Sequence, residues 1–106
     1  MATASGSASD IILIKPKRFY DDRGFFSEMY NRHTYFDLGV CGEFVQDNQS
    51  VSSSIGTLRG LHFQAAPHAQ AKLIRCGRGS IFDVAVDIRR GSPTYGKWEG
   101  FELTAE

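Results

Sequence analysis

Short apolar segments separated by turn residues limit what this chain can fold into. Residues 11–14 are all apolar, Pro16 follows them, and residues 80–88 alternate so that Phe82, Val84 and Val86 share one side. Alternation with a period of two is typical of a β-strand with one buried face. Proline and glycine near the ends of such segments mark strand ends and turns. The pattern predicts an antiparallel all-β domain, either a sandwich or a jelly roll.

The remaining segments fit the same plan. Residues 22–24, Asp-Arg-Gly, predict a turn between two aromatic-rich extended pieces. Residues 31–39 begin with an asparagine that can cap a helix and end with a glycine that can close it, so we expect one short helix there. Further strands are expected at residues 44–46 and 98–103. Residues 73–77 and 80–88 are expected to pair as a hairpin around residues 78–79. This pairing would place Lys72 and Asp83 diagonally on one face, close enough for an ion pair.

Length and composition restrict the function. With 106 residues the chain can bury one modest core, and its 42% hydrophobic content is enough to build it. Twelve basic residues balance twelve acidic ones, so no net charge attracts the chain to nucleic acid or to an anionic membrane. Cys41 and Cys76 lack the spacing of a zinc site, and free thiols in a reducing cytosol are the expectation.

The first nine residues are mostly small, and they contain neither a basic start nor an apolar run. Such a segment does not serve as a secretory signal. We therefore expect residues 1–9 to be a disordered tail and residues 10–106 to form the domain.

Residues 46–72 concentrate the side chains that carry chemistry. Arg59, His62 and Lys72 lie in this turn-rich stretch, with Gly60 as a bend between the first two. Together they could bind an anionic sugar derivative, remove a proton from it and stabilise the resulting negative charge. The alternative is that all three are scattered over a solvated surface.

Several motifs occur in the order found in one enzyme family. They are residues 22–28 (DRGFFSE), 44–48 (FVQDN), 58–64 (LRGLHFQ), 72–75 (KLIR) and 82–89 (FDVAVDIR). On these motifs the chain resembles the dTDP-4-dehydrorhamnose 3,5-epimerases, the deoxysugar-epimerase branch of the cupins, from about residue 10 to the last residue.

The resemblance implies a jelly-roll fold and a cytoplasmic homodimer. It also implies epimerisation of dTDP-4-dehydro-6-deoxyglucose at C3 and C5, with no cofactor and no metal. The expected partner is a dTDP-linked keto-deoxysugar, with no nucleic acid and no membrane. The resemblance also implies that residues 10–106 are the N-terminal part of a cupin-like epimerase domain.

The same resemblance assigns roles to individual residues. His62 would be the base, Lys72 would steady the enolate, and Arg59 would hold the diphosphate. Asp83 matches an inward-facing position that either orients a catalytic side chain or serves as a structural carboxylate. The positions that match the nucleotide-binding residues are Arg23, Glu28, Gln46, Asp47 and Asn48. Without the family match, Arg23 and Glu28 read as an exposed turn pair, and Gln46 and Asn48 read as loop residues that satisfy local backbone.

One departure from the family concerns the acid. The family continues beyond the position of Glu106 into further strands. These strands carry the tyrosine that acts as the general acid and the aspartate that pairs with the base histidine. None of the four tyrosines in this chain lies in that motif, so none inherits the acid role. The sequence therefore keeps open an inactive fragment or a non-catalytic module that binds sugar nucleotides.

A metal-dependent cupin is a further alternative. Gly56 and His62 resemble the start of the cupin metal motif G-x5-H-x-H, but Gln64 occupies the place of the second histidine. An amide is a poor substitute for imidazole at a transition-metal site. The sequence favours a site without metal.

Overall fold

The computed structural model describes residues 3–6 and 11–106. Six strands and one helix are present among these residues: β1 Thr3–Gly6, β2 Ile12–Lys15, β3 Arg18–Asp21, β4 Gly24–Ser27, α1 Arg32–Asp37, β5 Ser80–Val86 and β6 Trp98–Thr104. They form three two-stranded antiparallel sheets, β1–β2, β3–β4 and β5–β6. The all-β prediction with one short helix is confirmed.

β1 corrects the predicted tail. The sequence predicts disorder over residues 1–9, but Thr3 lies opposite Lys15 and Gly6 opposite Ile12 in a regular ladder. Main-chain groups make that ladder, so it does not require large side chains. The prediction is wrong for residues 3–6, and residues 1–2 and 7–9 lie outside the described part.

The β3–β4 hairpin closes through a two-residue turn at Asp22 and Arg23. Asp21 pairs with Gly24 at its end, and Gly24 has a φ of 135°, a conformation that glycine adopts without strain. The Asp21 carboxylate accepts a 2.8 Å hydrogen bond from the Arg23 backbone N–H. A side chain that bonds to backbone two residues ahead favours such a turn, so the predicted hairpin is confirmed.

Asn31 begins helix α1 as predicted. Its side-chain oxygen accepts hydrogen bonds from the backbone N–H groups of His33 and Thr34, at 3.0 and 3.1 Å. These bonds satisfy two of the N–H groups that have no partner within the helix. At the other end Gly39 has a φ of 98°, and a Cβ added there would lie 3.2 Å from the Ile12 side chain. Glycine thus ends the helix and allows this close approach.

The β5–β6 hairpin replaces the predicted one. Residues 73–77 form no strand, and β5 pairs along its whole length with β6, from Ser80 opposite Thr104 to Val86 opposite Trp98. The predicted pairing of residues 73–77 with 80–88 is therefore wrong. Gly100 lies in β6, where an added Cβ would come within 2.3 Å of the Phe82 ring. The ring packs on the glycine backbone and occupies the space that a side chain would fill.

Candidate active site

The chain divides into two compact units, residues 1–41 with 74–106, and residues 42–73. Each unit is described by itself. The first unit carries Arg23, Glu28 and Asp83. The second carries Gln46, Asp47, Asn48, Arg59, His62 and Lys72.

The second unit has no helix or strand, so the predicted strand at residues 44–46 is wrong. Its backbone turns at residues 53–56, where Gly56 has a φ of 80°. The Thr57 hydroxyl donates a 2.7 Å hydrogen bond to the Ser54 carbonyl and closes this turn. Gly60 has a φ of 105°, but residues 57–65 form neither a turn nor a bend, so the predicted bend at Gly60 is wrong. All six predicted site residues of this unit are exposed.

Arg59 is anchored within the second unit although it is exposed. Its Nε donates to the Ser52 hydroxyl at 3.2 Å, and its Nη2 donates to the Val51 carbonyl at 3.1 Å. Both acceptors lie on one edge of the planar guanidinium, because Nε and Nη2 define that edge. The contacts orient the group before any ligand binds.

His62 lies against the backbone of Gly60, two residues before it in the chain. A Cβ added at Gly60 would be 3.5 Å from both the backbone nitrogen and the Nδ1 of His62, so the imidazole lies against this backbone. Because Gly60 has a positive φ, a residue with a side chain would strain the backbone at this position, just before His62. The imidazole is exposed, as a base that must reach a substrate requires.

The amides near the start of the second unit pair with one another. The Gln46 side-chain N–H donates to the Asn48 side-chain oxygen at 3.3 Å. Asp47, between them, and Lys72, at the far end of the unit, are both exposed. The Gln46–Asn48 pair presents two exposed amides together, and amides both donate and accept hydrogen bonds.

Arg23 of the first unit binds Asp21 of the same hairpin, β3–β4. Its Nε donates to the Asp21 carboxylate at 3.1 Å and its Nη2 forms an ion pair with the same group. The hydrogen bonds from Arg23 lower the pKa of Asp21, and the same pair raises the pKa of Arg23. Because both side chains are exposed, the pair orders the turn more than it stabilises the fold.

Glu28 follows β4 and lies next to the helix cap. The Asn31 side-chain N–H donates to the Glu28 carboxylate at 3.3 Å, while the oxygen of the same amide caps α1. One asparagine thus fixes the helix start and orients a predicted nucleotide-binding carboxylate.

Asp83 lies in the middle of β5, half-buried and opposite Phe101 of β6. The hairpin predicted between residues 73–77 and 80–88 would place Asp83 near Lys72. That hairpin is not present among the described residues, so the register that suggested an ion pair no longer supports one. Whether Asp83 orients a catalytic side chain stays a prediction.

Asp87 accepts more hydrogen bonds than any other carboxylate in the described residues, and it was not among the residues predicted from the sequence. It accepts bonds from the backbone and guanidinium of Arg89, at 2.9 and 3.0 Å, and from the hydroxyls of Ser92 and Thr94. We call this set of four residues the Asp87 cluster. Its signal in the sequence is an aspartate followed by turn residues with hydroxyl groups, Ser-Pro-Thr, at residues 92–94.

The Asp87 cluster is structural. The Asp87 side chain is 2% exposed, and the bonds from Arg89, Ser92 and Thr94 hold its pKa well below the usual range. Its backbone also closes the loop between β5 and β6: the Asp87 N–H donates to the Lys97 carbonyl and the Gly96 N–H to the Asp87 carbonyl. A carboxylate whose lone pairs are used in this way is not available to a ligand.

Comparison with known proteins identifies the family. The family model described as dTDP-4-dehydrorhamnose 3,5-epimerase matches residues 6–106. The chain belongs to this family. A curated epimerase from Sinorhizobium fredii is 54% identical over 104 residues, which cover 94% of this chain and 51% of that protein. The Escherichia coli epimerase is 51% identical over 98 residues and is covered to 52%. The chain thus spans about half the length of the curated relatives it matches.

Solved structures of epimerases share the fold. A Bacillus anthracis epimerase, crystallised with TDP and PPi bound, matches 99% of this chain and 61% of its own with a TM-score of 0.96 and 48% identity. A Legionella pneumophila epimerase in complex with dTDP-4-keto-L-rhamnose matches with a TM-score of 0.90 and 44% identity, over 99% of this chain and 56% of its own. The likeness confirms the predicted fold class, a cupin-like jelly roll, of which this chain forms a part.

The described residues also bear on two broader expectations. They contain no helix with the length and apolar character that crossing a membrane requires. They also contain no group of three histidine, cysteine, aspartate or glutamate side chains arranged to hold a metal ion.

Proposed function

We propose that the protein carrying this chain epimerises dTDP-4-dehydro-6-deoxyglucose at C3 and C5 and yields dTDP-4-dehydro-L-rhamnose. The observation that supports this most directly is the likeness to the Legionella epimerase crystallised with dTDP-4-keto-L-rhamnose. This chain is 44% identical to that enzyme, and the match covers 99% of this chain and 56% of the enzyme. As the resemblance implies, we expect the enzyme to be a cytoplasmic homodimer that needs no cofactor.

The chemistry follows from the ketone at C4. Removal of a proton from C3 or C5 leaves an enolate, because either carbon is next to the carbonyl. In the proposed mechanism, His62 takes the proton and the Lys72 ammonium stabilises the enolate oxygen. Return of a proton to the opposite face inverts the carbon. Asp83 is proposed to orient a catalytic side chain.

Binding is assigned to the other predicted residues. Arg59 is proposed to hold the diphosphate, since its guanidinium is already oriented by Val51 and Ser52. The nucleotide is proposed to contact the residues that the family match singles out, Arg23, Glu28, Gln46, Asp47 and Asn48.

Deuterium exchange tests the assignment. In D2O the full-length protein should exchange deuterium into C3 and C5 of the keto-sugar, and His62→Asn should slow the exchange at least about a hundredfold. His68→Asn is the matched control, because His68 is also exposed in the same unit and has no proposed role. Undiminished exchange in the His62 variant would remove this residue from the mechanism.

A non-catalytic module that binds sugar nucleotides is the second candidate. It is favoured by one observation, that the chain spans about half of its relatives' length. The same experiment separates the two candidates, since a binding module would bind the keto-sugar nucleotide without any exchange.

A further inference from the structure

The orientation of the Arg59 guanidinium depends on two acceptors seven and eight residues before it. The Ser52 hydroxyl accepts from Nε at 3.2 Å and the Val51 carbonyl accepts from Nη2 at 3.1 Å. The backbone between them is a turn without helix or strand, so no regular structure fixes this geometry. Two side-chain bonds therefore determine where the charged group points.

The two contacts leave a defined part of the guanidinium available. A guanidinium has five N–H donors, and the bonds to Ser52 and Val51 use the two on the Nε/Nη2 edge. The opposite end, formed by Nη1 and the second hydrogen of Nη2, makes no bond among the residues that the structure describes. Two parallel N–H groups on that end match two oxygens of a phosphate.

We propose that Ser52 is a positioning residue for the diphosphate of the substrate, acting through Arg59. This inference rests on the proposed function, because it presumes that Arg59 binds a diphosphate. Ser52 holds the Nε/Nη2 edge, so the end of the guanidinium is presented to the ligand. Exposed arginine side chains lose rotational freedom when they bind, and a group that is held beforehand loses less.

Ser52 is the part of this arrangement that substitution can change. The second acceptor, the Val51 carbonyl, is main chain and survives any change of side chain. Ser52→Ala removes one acceptor, whereas Ser52→Thr keeps a hydroxyl in the same place. Because Ser52 is exposed, the extra methyl group of threonine has room in solvent.

Calorimetry on the full-length protein tests the proposal with dTDP and thymidine. Ser52→Ala should weaken dTDP binding by about ten-fold, the lower end of the loss expected for one hydrogen bond to a charged donor. Ser52→Thr should restore it, and Ser53→Ala, at the neighbouring exposed serine, should leave it unchanged. Thymidine affinity, measured by competition, should be the same in every variant because thymidine has no phosphate.

The Arg59→Ala background completes the test. If Ser52 acts through Arg59, Ser52→Ala should cause no further loss once the arginine is absent. An undiminished loss in that background, or an equal loss for thymidine, would overturn the positioning role. So would full dTDP affinity in the single Ser52→Ala variant. Failure of the unmodified protein to bind dTDP would instead overturn the proposed function.

Discussion

At the scale of single residues, Tyr35 shows how an environment restricts a role. Its side chain is 3% exposed, its ring packs edge-on against Tyr30 with centroids 5.3 Å apart, and its hydroxyl donates to the Met29 carbonyl. Burial raises the pKa of the phenol. A hydroxyl that is buried and already bonded to backbone serves the fold.

Tyr35→Phe should therefore lower stability without slowing the reaction. Loss of the hydroxyl leaves the Met29 carbonyl without this donor, at a cost of about 1 kcal/mol in the free energy of unfolding. Chemical denaturation of the full-length protein measures the change, with Tyr95→Phe, at an exposed tyrosine, as the near-neutral control. A large fall in kcat at unchanged stability would show that Tyr35 takes part in catalysis.

Residue identity was more predictable than residue orientation. The motifs named Arg59 and Glu28 as binding residues, but nothing in the sequence indicates that Ser52 holds the first or that Asn31 contacts the second. Hydrogen bonds between side chains in irregular backbone have no period that a sequence pattern could reveal. Asn31 was recognisable as a helix cap because capping depends on residues next to it in the chain.

At the scale of elements, the Asp87 cluster makes the stability of the β5–β6 loop depend on pH. Hydrogen bonds from Arg89, Ser92 and Thr94 lower the pKa of Asp87 below its value in the unfolded chain. A depressed folded-state pKa contributes stability above the unfolded value, about 3.9, and this contribution is lost as the pH falls below it. The loop should thus be firmly closed at neutral pH and weakened in acid.

Asp87→Asn tests this contribution by thermal unfolding across pH. The melting temperature of the variant should lie well below that of the unmodified full-length protein at pH 7. The difference should shrink as the pH falls below about 4, where the native carboxylate loses its advantage. Glu102→Gln, at an exposed carboxylate of β6, is the control and should show a small difference throughout. A gap between Asp87→Asn and the unmodified protein that stays constant from pH 7 to pH 3 would contradict the account.

Local elements followed from the sequence, while the partner of β5 did not. The β3–β4 hairpin and α1 depend on a turn and a cap within a few residues, and both form where they were predicted. Residues 73–77 and 98–103 are both apolar enough to pair with β5, and nearness along the chain favours residues 73–77, which do not pair with it. The loop that joins β5 to β6 is instead held by Asp87, whose bonds no alternation of apolar residues reveals.

At the scale of the whole molecule, the described part of the chain buries little apolar surface. Tyr35 is its one buried large hydrophobic residue, while Phe26, Ile55 and Leu58 are among many that are exposed. Apolar surface of this extent marks contact with further protein.

The isolated 106-residue chain should be catalytically dead or nearly so and should self-associate. Proton return needs an acid opposite His62, and the matching tyrosine of the family lies beyond the position of Glu106. Exposed apolar faces should drive association in the short chain. Epimerisation and light scattering measured on this chain, and on the same chain continued with the C-terminal part of the Sinorhizobium relative, decide the point. Equal turnover by a monomeric short chain would require an acid among the residues present here.

The bond between Arg18 and Ala105 has a consequence for the order of folding. The guanidinium of Arg18 lies 4.3 Å from the Phe25 ring centre and donates a 2.6 Å hydrogen bond to the Ala105 carbonyl, 87 residues along the chain. During synthesis the β3–β4 turn can close as soon as it emerges, since its contacts are local. Its attachment to the end of β6 must wait until residue 105 leaves the ribosome. A hairpin that can form early is thus among the last to be fixed in place.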